Sequence, residues 1–283
     1  MRPEQVTAAE FGLGETPVWL PAHGGLLWVD GAAGDVVRLA GDGATERWHV
    51  AGRVAVVRAT TSGGLVLALD DCFAVAAGWG EPVERLGALW PERDLWFNDG
   101  GCDPQGRFWA GTASADYAGT RCALYRLDPD RTVTRVLDGV GLSNGLAWSP
   151  DGSRAYYADT LTGRVDVFDS DPERGLVDRR PFAAFDPADG HPDGLCVDAG
   201  GRVWVAMWDG GAVRCHEPDG TLAEVVELPV RQVTACTFGG ADLGDLFITT
   251  KREGHRPEED TTAGAVFRVR PGVTGVPALP YAG

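Results

Sequence analysis

Three short phrases in this chain carry side-chain oxygens at one phase of an internal repeat. They read Phe97-Asn98-Asp99-Gly100, Ser143-Asn144-Gly145 and Pro192-Asp193-Gly194. Asn98 and Asn144 are the only asparagines in the chain. Asn98, Asn144 and Asp193 each stand 8 residues before a turn glycine, at Gly106, Gly152 and Gly201. Glu15, in Gly14-Glu15-Thr16-Pro17, stands ten before Gly25, and Thr234 stands ten before Gly244. Val56 occupies the same phase in a further copy and offers no oxygen. Amide and carboxylate oxygens placed at one structural position in successive copies aim at one point, which is how proteins hold hard cations. Asn-Gly and Asp-Gly also favour tight turns in any β protein. Turn propensity does not explain a shared phase in a chain with no other asparagine.

The elements that must position these residues are short strands. Glycine turns between apolar segments recur at Gly25, Gly64, Gly106, Gly152, Gly201 and Gly244, with gaps of 39, 42, 46, 49 and 43 residues. Leu146-Ala147-Trp148 precedes one turn and Ala155-Tyr156-Tyr157-Ala158 follows it. Leu195-Cys196-Val197 and Val203-Trp204-Val205-Ala206 repeat the pattern. Four antiparallel strands every 40–50 residues or so is the signature of a propeller blade. Six turns predict an all-β, six-bladed β-propeller, with residues 1–283 as a single domain and the candidate oxygens at one mouth of its central channel. A WD40 array does not fit, because Trp-Asp occurs only at Trp208-Asp209. The segment near Val6 is expected to pair with Ala265-Val266-Phe267-Arg268-Val269, closing the ring without an open sheet edge.

Composition narrows the function classes. Hydrophobic residues make up 44% of the 283, enough for a substantial core, and glycine is abundant at 40. The net charge of −16 argues against a nucleic-acid partner, whose binding rests on Lys and Arg. Lys251 is the only lysine, which reads as a bias toward arginine. Met1-Arg2-Pro3-Glu4-Gln5 leads into no apolar signal-peptide core, and no apolar run is long enough to span a membrane. The six cysteines form no C-x-x-C pair and read as buried small hydrophobes in a reducing cytoplasm. The charged stretch from Glu253 to Asp260 reads as a solvated loop bordering the mouth. Ser143, His191 and an Asp suggest a triad only on paper, because no Gly-x-Ser-x-Gly elbow is present. His191 itself reads as structural or solvated.

Leu13-Gly14-Glu15-Thr16-Pro17-Val18-Trp19, Asn98-Asp99-Gly100 through Thr112, Ser143-Asn144-Gly145-Leu146, Pro192-Asp193-Gly194, Phe238-Gly239-Gly240 and the final Tyr281-Ala282-Gly283 follow one another at propeller spacing. In these motifs, over nearly its whole length, the chain resembles the senescence marker protein / gluconolactonase / luciferin-regenerating enzyme (regucalcin-like) family. The resemblance implies one divalent metal at the channel mouth, ligated by Glu15, Asn144 and Asp193, with Asn98 as a more distant ligand or a substrate contact. Oxygen donors suit Ca²⁺ first, with Mn²⁺, Mg²⁺ or Zn²⁺ as alternatives. It also implies a metal-dependent lactonase acting on a small lactone or related ester, with Asp193 as general base or water-orienting group. A phosphotriester hydrolase and a non-catalytic calcium-binding protein are the rival classes. Two positions depart from the family. Trp96 stands where many members carry a sugar-binding Arg, and Asp116, followed by Tyr117, aligns with a substrate-binding Glu. Trp96, Asp116 and Tyr117 are therefore substrate-contact candidates, and the substrate is expected to differ from a simple sugar lactone.

Overall fold

The computed structural model describes residues 1–41, 43–254 and 261–283. Six four-stranded antiparallel sheets follow one another around a ring. Their inner strands are Gly14–Leu20, Val54–Ala59, Leu95–Cys102, Ser143–Trp148, His191–Val197 and Val233–Gly239, in blades I to VI. The chain is thus an all-β, six-bladed β-propeller, with only single turns of 3-10 helix between strands among the described residues. No helix among those residues is long and apolar enough to cross a membrane.

Closure follows the expected route. Blade VI takes its outermost strand, Glu4–Gln5, from the start of the chain, and this strand pairs with Phe267–Val269 in the register Glu4↔Arg268 and Gln5↔Phe267. The Val6 N–H donates to Val266 O at 2.9 Å. Tyr281, from the far end of the chain, is fully buried between blades II and III. Its hydroxyl donates to Asp128 O at 2.8 Å, and its N–H donates to Ala59 O at 2.8 Å. Residues 276–279 line the channel end opposite the candidate oxygens.

Alternating apolar positions fill the wedges between blades. Val56, Val66 and Phe73 of blade II meet Phe97, Phe108 and Tyr125 of blade III. Trp204 of blade V packs edge-on against Phe238 of blade VI. Each such aromatic contributes about 1.5–3 kcal/mol by leaving water. Trp109 and Trp204 follow the same local phrase, Asp-x-x-Gly-Arg-x-Trp. Trp204 Nε1 donates to Asp198 Oδ2 at 3.0 Å while Arg202 Nε donates to the same oxygen at 2.8 Å. Asp103, Arg107 and Trp109 repeat this arrangement in blade III. Each buried carboxylate is thereby paired and bonded, as burial demands.

The turn glycines Gly106, Gly152 and Gly201 have φ of 74°, 70° and 86°, the left-handed region that glycine enters without strain. In blade II the left-handed residue is Gly63 rather than Gly64, and in blade VI it is Leu243 rather than Gly244. All six cysteines are free thiols, five of them buried. Residues 255–260 of the expected charged loop lie outside the described residues.

Candidate active site

The Asn144-Gly145 and Asp193-Gly194 pairs are not turns. Both lie inside inner strands, and every inner strand carries a register irregularity at this height. The ladder skips Thr16 and Pro17, Ala55, Asn98, Asn144 and Gly145, Asp193 and Gly194, and Thr234 in blades I to VI. A bulge of this kind re-aims a side chain, and the bulged Asn98, Asn144 and Asp193 line the cavity at the channel mouth. The glycines allow the neighbouring strand to approach. A Cβ on Gly145 would stand 2.6 Å from Leu195 N, and one on Gly194 would stand 2.4 Å from Ala235 Cβ.

Glu15, Asn98, Asn144 and Asp193 line one cavity of about 570 Å³, together with Trp96, Tyr117 and His191. Asn144 and Asp193 are buried, and Glu15 is half-buried. The Asn144 amide is fixed by a chain of hydrogen bonds. Thr160 Oγ1 spends its one proton on Pro192 O at 2.7 Å, so it can only accept from Asn144 Nδ2, at 2.8 Å. The amide oxygen is left facing Asn98, whose Nδ2 donates to it at 3.1 Å and to Ser143 O at 2.9 Å. Ser143 lies outside the cavity lining and accepts a bond from Tyr157 OH at 2.8 Å, which removes the paper triad.

The carboxyls of Glu15, Asp193 and Asp99 act on one another. Burial pushes the Glu15 carboxyl up to about 8, helped by the charge of Asp99 and opposed by Lys251 and Arg53. Asp193 is raised well above the carboxylate range by burial, then by Glu15 and Asp99. Asp99 rises to about 6 through burial, held back by Arg58 and by the Gly100 N–H at 2.6 Å. Arg58 is enclosed beside Asp99 and donates to Val57 O at 2.7 Å and Gly100 O at 2.8 Å. Glu15 precedes a strained residue: Thr16 has φ 45°, unusual for a β-branched side chain, and its hydroxyl is tied to Ala55 O at 2.7 Å.

Mutually repelling carboxyls, poorly solvated and joined by an oriented amide oxygen, form a donor set that fits a hard divalent cation. Among the described residues, no group of three or more His, Cys, Asp and Glu side chains stands ready to hold a metal by itself.

The remaining candidates divide. Trp96 and Tyr117 face one another edge-on across 6.1 Å in the cavity wall. Asp116 is exposed and absent from the lining. Its Oδ1 accepts from Ser114 Oγ at 2.7 Å, and that bond holds its carboxyl below the usual range. Sequence reasoning passed over Arg53, Asp99, Thr160, Trp208 and Lys251. Asp99 sits inside a quoted motif and Lys251 is the sole lysine, so each left a trace. Arg53 and Thr160 left none, because they come from connecting segments outside the strand repeat.

A six-bladed propeller with carboxylates and amides gathered at one channel mouth defines a recognisable class. The chain belongs to the SMP-30/gluconolactonase/LRE-like family, whose model matches residues 13–252. It is similar to regucalcin of Gallus gallus, 36% identical over 295 residues that cover 99% of this chain and 98% of that protein. Among solved structures, a luciferin-regenerating enzyme superposes with a TM-score of 0.89 at 26% identity, covering 97% of this chain and 96% of the other. A calcium-binding regucalcin from Agrobacterium tumefaciens shares the fold with a TM-score of 0.92 at 23% identity, covering 99% and 97%.

Proposed function

We propose that this protein is a divalent-metal-dependent hydrolase that opens a lactone ring, with Glu15, Asn144 and Asp193 as the metal ligands. The observation that carries this reading is the meeting of two charge-starved carboxyls and one oriented amide oxygen at the wall of a substrate-sized cavity. Ca²⁺ is the first choice, with Mn²⁺, Mg²⁺ or Zn²⁺ as alternatives. Membership of a family described by gluconolactonase supports a lactone as substrate. A cation bound here would polarise the lactone carbonyl and acidify a nearby water.

The chain's own residues supply the rest. Asp193, ionised, takes a proton from the water as its oxygen bonds to the acyl carbon. The bond from acyl carbon to ring oxygen breaks, the ring oxygen takes the proton held by Asp193, and a hydroxy acid leaves. Asn98, Trp96 and Tyr117 line the cavity and are assigned to the substrate, with Asp116 outside the lining. Trp96 offers a single N–H donor, which disfavours a simple sugar lactone. The six free thiols fit a reducing compartment such as the cytoplasm.

A panel of lactones and phosphotriesters, run with each metal, tests this reading. Lactone turnover that is lost on chelation and in Asp193→Ala supports it. Turnover of phosphotriesters alone moves the protein to the rival hydrolase class. The regucalcin name of its relatives favours a second reading as a calcium-binding protein, which predicts a calcium-induced thermal shift with no turnover at all.

A further inference from the structure

Two cations stand in the cavity, each laid on an indole. The guanidinium carbon of Arg53 lies 4.3 Å from the centre of the Trp96 ring, and Lys251 Nζ lies 5.1 Å from that of Trp208. All four residues line the cavity. Arg53 makes no hydrogen bond and no ion pair among the described residues, whereas most arginines here are spent on carboxylates, as at Arg47–Asp30, Arg107–Asp103 and Arg202–Asp198. Among the described residues Lys251 makes a single ion pair, with Glu253 at 4.0 Å, whose side chain is 63% exposed, while its charge and that of Arg53 also act on Glu15 within the cavity. Such an exposed contact at the limit of an ion pair contributes little. Among the described residues the Arg53 fork and the Lys251 ammonium thus keep donors unspent while the rings fix their positions.

The charge balance of the cavity sharpens this. Resting on the metal-dependent reading above, a divalent ion cancels Glu15 and Asp193, and Asp99 faces Arg58. Among the described residues Arg53 and Lys251 then remain as positive charges offset only by the exposed Glu253, in a protein whose net charge is −16. A neutral polyhydroxy lactone gives them nothing to neutralise.

We infer that Arg53 and Lys251 form an anion-recognition rim, and that the substrate is a lactone bearing an anionic substituent, carboxylate or phosphate, away from the ring that opens. Trp96 then acts as the platform for Arg53, and a face covered by a guanidinium is not open for stacking on a substrate ring.

The test compares kcat/KM for D-glucaro-1,4-lactone with D-glucono-1,4-lactone, and for a 6-phosphorylated gluconolactone with its parent. Wild type is expected to favour one charged member of a pair. Whichever pair shows the preference identifies carboxylate or phosphate. That preference should fall by about tenfold or more in Arg53→Ala and Lys251→Ala, survive in Arg53→Lys, and weaken as NaCl is raised. Equal use of charged and neutral lactones by wild type, or an unchanged ratio in both alanine variants, overturns the inference.

A binding readout separates this from failure of the lactonase reading. D-glucuronate is expected to perturb tryptophan emission at fixed calcium where D-glucose does not, and Arg53→Ala and Lys251→Ala should weaken the effect. Anion binding without lactone turnover removes the catalytic reading and leaves the rim standing. Absence of any anion-dependent change, with lactones turned over, removes the rim and leaves the lactonase.

Discussion

Asn98 Nδ2 donates to Asn144 Oδ1 at 3.1 Å, tying the inner strands of blades III and IV at the height where Asp193 enters from blade V. The two asparagines of the chain are hydrogen-bond partners. One is oriented to present its oxygen, and the other is spent partly on holding it there.

That orientation depends on Thr160, which accepts from Asn144 Nδ2 and donates to Pro192 O. Thr160→Val keeps the shape and removes both bonds. Calcium affinity measured by titration calorimetry is expected to fall about 10–100-fold, the usual cost of losing an orienting group behind a ligand. Unchanged affinity would show that Asn144 needs no such support.

The carboxyl cluster fixes the pH response of the metal-free protein. Glu15 titrates at about 8 folded against 4.5 in a free chain, so between those values the folded state holds a proton that the unfolded state has released. Stability of the metal-free protein should therefore fall as pH rises from about 4.5 to 8, with a slope approaching 1.4 kcal/mol per pH unit, and level off above. Asp193 and Asp99 are raised too and act in the same direction. On the proposed metal-dependent reading a bound calcium would replace the protons, so its stabilising effect should grow over the same window. Urea unfolding across pH, with calcium and with chelator, measures both trends. A metal-free protein that gains stability with pH would contradict the cluster.

Asp193→Asn removes one of the repelling charges. In chelator at pH 8 this variant is expected to be more stable than wild type by about 1–3 kcal/mol, while losing the calcium-induced thermal shift. Thermal unfolding with and without calcium reads both effects. A variant that is less stable in chelator and still shifted by calcium would place Asp193 outside the ion's reach.

Gly194 is required by packing, since an added Cβ would stand 2.4 Å from Ala235 Cβ and 2.9 Å from Thr234 O. Gly194→Ala is expected to cost about 2–3 kcal/mol by forcing blades V and VI apart. Gly78→Ala, where a Cβ meets nothing within 4 Å, should change stability by no more than about 0.5 kcal/mol. Chemical denaturation of the pair gives the comparison directly.

The blade count was legible in the spacing from Gly25 to Gly244, because each blade must turn its first hairpin at a fixed distance from the channel. The pairing of the segment at Val6 with the strand at Phe267 was legible as well, since an unclosed ring leaves an edge exposed. The shared phase of Asn98, Asn144 and Asp193 carried over into their meeting in one cavity, because equivalent positions on radially repeated inner strands converge on the axis. The meaning of the adjoining glycines was not legible. Asn-Gly and Asp-Gly describe turns when only local conformation is considered, and here they are bulges pressed against the next blade. Arg53, Thr160 and Lys251 came to the site only through tertiary structure. They lie at or beyond strand ends, where no period of the repeat constrains them, and only closure of the ring brings residues so far apart in the chain around one cavity.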